Sequence, residues 1–137
     1  MNDTTKVGKG WTISLWAAQL ALAAAYGLFG SMKATQPLDQ LAAMIKWIPD
    51  FPPMFVRALG VVEVLGAIGL ILPSLTRIYP RLTVVAALCI LIHQFCAVVL
   101  HLSKGEANVL GLNAVLIALA AFIFWGRRTK AVIAPRA

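Results

Sequence analysis

Two residues set the chemical question: Glu63 and His93, each inside an otherwise apolar run. Glu63 lies nine positions into its run, which is ~13 Å deep on a helix. An ionised carboxylate there must be paired, hydrated or protonated, so it is a functional candidate by default. His93 lies nine positions from the end of the next run. The two side chains are therefore expected at similar depth on adjacent antiparallel helices. A Glu–His hydrogen bond would satisfy both groups and could exchange a proton. The alternative is a hydrogen-bonded pair that only locks two helices together.

Other polar residues gather near one end of the same runs. Arg57, Lys33, His101, Glu106 and Asn113 are the expected ligand-binding set, forming a polar-mouthed pocket with Glu63 and His93 near its floor. Arg57 is six positions from Glu63, about 120° apart on a helical wheel, so the two are not expected to pair directly. Cys89, His93 and Cys96 fall on one face, but no clear fourth ligand accompanies them. Metal ligation and haem ligation by His93 are both disfavoured, and no metal site is assigned. No phosphate loop, metalloprotease motif or nucleophile elbow is present.

The elements that must position these residues are transmembrane helices. The chain has 137 residues, of which 61% are hydrophobic and 12% charged. A soluble domain carries about twice that charged fraction, ~25%. The runs cover about 11–30, 54–72, 82–102 and 107–125, each near the ~20 residues that cross a bilayer. The first is too long for a signal-peptide core and lacks a cleavage site, so it is read as a retained span. Pro73 is expected to close the second run and Gly126 the fourth. The expected fold is all-α: residues 1–137 form one four-helix transmembrane bundle.

Charge supplies the orientation. The N-terminus, the connection between spans two and three, and the C-terminus together carry Lys6, Lys9, Arg77, Arg81, Arg127, Arg128, Lys130 and Arg136, against Lys33, Lys46 and Lys104 on the other side. The positive-inside rule then places both termini in the cytoplasm, with Trp11 and Trp125 at the cytoplasmic interface. The net charge of +7 follows from this bias, and no basic stripe points to nucleic acid. Between spans one and two, Pro37 can start a short helix, Leu38, Leu41, Ile45 and Ile48 recur at helical spacing, and Pro49 stops it. This amphipathic helix is expected on the membrane surface or over the bundle end, as a packing element rather than a lid. Gly60, Gly66 and Gly69 favour close helix approach. Thr129 to Ala137 read as a solvated basic tail.

Taken in order along the chain, these residues resemble the DoxX/DoxD-like family of small four-helix membrane proteins. Phe29-Gly30 and Lys33 carry the resemblance first. Arg57, Gly60, Glu63, Gly66 and Gly69 leading to Pro73 carry it next, then Gly105-Glu106, the Asn113-bearing span and Gly126-Arg127. It covers about residues 11–128. It implies a membrane subunit of an electron-transfer or oxidative-stress system in the bacterial cytoplasmic membrane, with an oxidoreductase or another membrane protein as partner. Quinone is the candidate cofactor, and a homo-oligomer is plausible on shielding grounds. Two further readings stand beside it: an anchor or assembly factor without a ligand, and a small enzyme acting on a lipophilic substrate.

Overall fold

The computed structural model describes residues 7–137; Lys6, one of the topology charges, lies outside them. Four long helices form the bundle: α1 (Lys9–Thr35), α3 (Pro53–Thr76), α4 (Arg81–Ser103) and α5 (Leu110–Thr129). A short α2 (Leu38–Met44) and two 3-10 turns, Ile48–Asp50 and Ala107–Val109, complete the described residues. All four long segments are apolar enough to cross a membrane. They stand in a ring in which α1 packs on α3, α3 on α4, α4 on α5, and α5 back on α1.

The helices are longer than the apolar runs, and local chemistry explains each end. α1 continues past Gly30 because Ser31–Thr35 tolerate helix; it stops where Gln36, just before Pro37, is forced extended. α3 begins with Pro53 at its first position, where the missing N–H is no loss. Pro73 does not close α3. It lies inside the helix, which runs one turn further to a left-handed Arg77 (φ 61°). Gly126 does not close α5 either; it is a contact point, since a Cβ there would lie 2.5 Å from Leu15 Cδ2. α4 ends in a Schellman motif: Gly105 (φ 68°) lets its own N–H reach the Leu102 carbonyl and the Glu106 N–H reach that of His101.

Each long helix buries only a narrow seam. In α3 the buried set is Val56, Gly60, Glu63, Ala67, Leu70, Pro73 and Ser74; in α4 it is Thr83, Ala87, Ile90 and Gln94. Steps of three and four residues define a knobs-into-holes stripe. Large apolar side chains such as Ile13, Leu20, Leu65 and Val99 point outward and are more than half exposed, which suits contact with lipid.

α2 and the following turn cap one end of the ring. Leu41, Trp47 and Ile48 are buried with Val56. The amphipathic helix is shorter than its pattern suggests: it ends at Met44, and Pro49 sits within the 3-10 turn rather than stopping α2. Polar contacts tie the cap down. Glu106 accepts from His101 Nδ1 (2.6 Å) and from the Lys46 backbone N–H (3.3 Å), and Lys104 pairs with Asp50. The hydrogen bond from His101 holds the Glu106 carboxyl below its ordinary value of 4.5, against the opposing effect of desolvation. A depressed carboxyl binds fewer protons folded than unfolded. Its contribution is therefore complete above ~4.5 and is lost as pH falls through the folded value. Thermal unfolding in detergent, taken from roughly pH 7 to pH 3, should show a steeper acid loss in the wild type than in Glu106→Gln.

The C-terminal segment is largely exposed, as expected of a solvated tail, but it is docked rather than free. Ala131 is buried, the Arg136 N–H donates to the Arg77 carbonyl, and Arg77 Nε donates to that of Ala134. The segment folds back over the α3–α4 turn.

Candidate functional site

The polar residues of the seams form two separate layers. Gln19, Ser74, Thr83 and Arg127 make one, near the α3–α4 turn. The other, nearer the cap, holds Glu63.

The helix crossing that positions Glu63 is made by two glycines. A Cβ on Gly60 would stand 2.6 Å from the Gly30 carbonyl and the Ala34 nitrogen; one on Gly30 would stand 2.7 Å from the Gly60 carbonyl. Only bare backbone allows α1 and α3 this close. One turn beyond each glycine lie Lys33 and Glu63. Lys33 Nζ donates to both carboxylate oxygens, at 2.9 and 2.8 Å, with both side chains at least nine-tenths buried. Arg57 does not join them. Its guanidinium reaches the Lys33 and Gln36 carbonyls (2.9 and 2.6 Å), satisfying the free carbonyl end of α1 and holding Lys33's backbone.

His93 lies 3.5 Å from Glu63, Nε2 to Oε1. Its other nitrogen, Nδ1, meets the Tyr26 hydroxyl at 2.8 Å. Gln94 Nε2 donates to that hydroxyl (2.7 Å), and Asn113 Nδ2 donates to Gln94 Oε1 (2.8 Å). With the amides in this direction the Tyr26 hydroxyl can donate to Nδ1, an arrangement that goes with the His93 tautomer protonated on Nε2, facing Glu63. Tyr26→Phe would leave both Gln94 Nε2 and His93 Nδ1 without a partner while keeping the ring against His93. The expected cost is about 1–3 kcal/mol, read as a lower melting temperature, with a mixture of His93 tautomers in the nitrogen NMR spectrum.

This cluster lines one end of a cavity of ≈ 450 Å³, within the ~300–1,000 Å³ of small-molecule sites. Tyr26, Lys33, Glu63, His93, Gln94, His101 and Asn113 supply its polar part; Phe29, Trp47, Phe51, Phe55, Leu100 and Leu112 are among its apolar walls. The cavity wall is built largely of aromatic and aliphatic side chains from the cap and helices. Of the expected ligand-binding residues, Lys33, His101 and Asn113 line the cavity, whereas Arg57 and Glu106 brace the backbone around it. Tyr26 and Gln94 were not singled out by the sequence reading, although Gln94 continues the Thr83–Ala87–Ile90 seam. Cys89 and Cys96 are free and exposed, and among the described residues no group of three or more His, Cys, Asp or Glu is placed to hold a metal ion.

A ring of four antiparallel spans with a capped, polar-ended cavity defines a small helical membrane protein. The match to the DoxX-like family model over residues 17–123 makes the membership plain: the chain belongs to that family. No curated protein and no solved structure matches the chain.

Proposed function

We propose that the protein is a membrane component of a redox system and that its cavity takes a quinone. One observation carries this reading: a buried Lys33–Glu63 pair, with His93 beside it, lines a cavity whose walls are mostly apolar and aromatic. An amphiphilic ring fits that division. Its apolar face and tail suit Phe29, Phe51, Phe55 and Leu112, and its carbonyl oxygens suit N–H donors. A bound quinone supplies two-electron, two-proton chemistry, with electrons coming from an oxidoreductase partner. The chain's own part is to bind, orient and protonate. His93, the most open of these three side chains at 27% exposure, turns Nε2 toward Glu63 and is the group placed to pass a proton. Lys33 donates to both Glu63 oxygens and fixes the polar side of the cavity.

The positive-inside bias supports an arrangement with both termini in the cytoplasm and the cavity toward the outer face of a bacterial cytoplasmic membrane. The quinone reading is tested by equilibrium binding of a short-chain ubiquinone or menaquinone analogue to the purified protein. Saturable binding should weaken about tenfold in Glu63→Gln and in His93→Ala, the scale of one charge-assisted hydrogen bond. Wild-type affinity in both variants removes the site.

A further inference from the structure

Among the described residues, the second polar layer contains a charge without a counter-charge. Arg127 is only 4% exposed. Its Nε donates to Gln19 Oε1 (2.6 Å) and its Nη1 to the Ala131 carbonyl (3.3 Å), while buried Nη2 has no hydrogen-bond partner among the described residues. Below it lies the Trp16 ring, 5.4 Å from Cζ. Among the described residues no carboxylate pairs with it. All four described acids, Asp39, Asp50, Glu63 and Glu106, belong to the capped half of the bundle. Arg77, Arg81, Arg127, Arg128 and Lys130 share the other end. Neutral acceptors and an aromatic face offset only part of the cost of burying a guanidinium, which is permanently charged.

Arg127 also borders a cavity of ≈ 250 Å³, together with Arg77, Thr12, Ser74, Trp16 and Val132. The two arginines thus converge on one space from different helices, one buried and one exposed. Trp11 and Trp125 meet at this end with Lys130 over both rings (5.9 and 5.4 Å), as in an interfacial belt at headgroup level. A planar guanidinium with an unused N–H matches the paired oxygens of a phosphate group. We propose that this cavity binds a phosphate-type anion, carried by a phospholipid headgroup or free in solution, which supplies the missing counter-charge of Arg127. The site is separate from the quinone cavity and does not depend on that reading.

The test uses the full chain in mild detergent. Phosphatidylglycerol, diacylglycerol and inorganic phosphate are added separately, and binding is read by native mass spectrometry and melting temperature. One phosphatidylglycerol per chain, with no diacylglycerol retained, supports the lipid source. Stabilisation by inorganic phosphate beyond that by chloride at equal ionic strength, without lipid retention, supports the free anion. In either case Arg77→Gln, at an exposed position, should weaken binding about tenfold, and Arg127→Gln should abolish it where that variant folds. Absence of binding by both phosphate probes, or binding unchanged in Arg77→Gln, overturns the proposal. So does binding that emerges only in Asp3→Asn, which would assign the counter-charge to Asp3, outside the described residues.

Discussion

Replacing Lys33 by methionine should destabilise the protein by about 3–5 kcal/mol, the scale for breaking a buried ion pair from one side. The reason lies in what remains. Glu63 would keep its buried position but lose two short charge-assisted hydrogen bonds, and among the described residues its only other close basic neighbour is His93 at 3.5 Å. The carboxylate must then take up a proton or draw in water. Glu63→Leu should cost a comparable amount, because it strands the ammonium instead. The double variant Lys33→Met/Glu63→Leu removes both charges and should recover much of the loss, since two apolar groups need no partners. Melting temperatures of the four proteins in one detergent form the cycle. Additive losses in the double variant would mean that the two groups do not act as a pair. The same double variant should fold yet fail to bind quinone, which separates stability from function.

The second large effect belongs to Gly60. Gly60→Ala places a methyl group 2.6 Å from the backbone of α1, at the Gly30 carbonyl and the Ala34 nitrogen. Backbone cannot turn aside as a flexible side chain would. The helices must separate, at a cost of about 1–3 kcal/mol or more. Separation would also draw Lys33 away from Glu63, so quinone affinity should fall with stability. Gly27→Ala and Gly66→Ala are the controls. Their added carbons would meet neighbours at 3.9 and 3.6 Å, ordinary contact, and a small gain in helix propensity is expected. Equal losses at Gly60 and Gly66 would contradict the close crossing.

These two cases show where the sequence was informative. The spans were legible because twenty-residue apolar runs have few other uses. Glu63 was legible because its cost in hydrocarbon is large wherever its side chain points. Its principal partner was not. Lys33 lies three residues past the first apolar run, and nothing in the pattern says that α1 continues that far or that glycines draw it against α3. His93 drew notice as the residue that titrates near neutrality, but the deeper position on α4 is Gln94. An amide carries no charge cost, so it stands out only once the seam of Thr83, Ala87, Ile90 and Gln94 is traced. Tyr26 was hidden in the same way among the alanines of α1. Arg127 reads as a topology charge because it adjoins exposed Arg128; its burial depends on Gln19 and Trp16 of α1, a stretch of chain far away in sequence. Pro73 and Gly126 read as stops because proline and glycine usually are. Near a helix end, a proline costs less than in the middle, and a glycine against a neighbouring leucine serves packing.

The central claim is that the capped cavity binds a quinone, and Trp47 offers the most direct test. It lines the cavity, whereas Trp11 borders the opposite end with Trp125, and Trp16 lies under Arg127. A variant carrying Trp11→Phe, Trp16→Phe and Trp125→Phe keeps Trp47 as its one indole. Titrating it with a short-chain quinone should give quenching that saturates at one ligand per chain, and Glu63→Gln on this background should shift the curve to higher concentration. Quenching that rises without saturation, to the same extent in both proteins, would mean collision with quinone dissolved in the detergent and would contradict the assignment of the cavity.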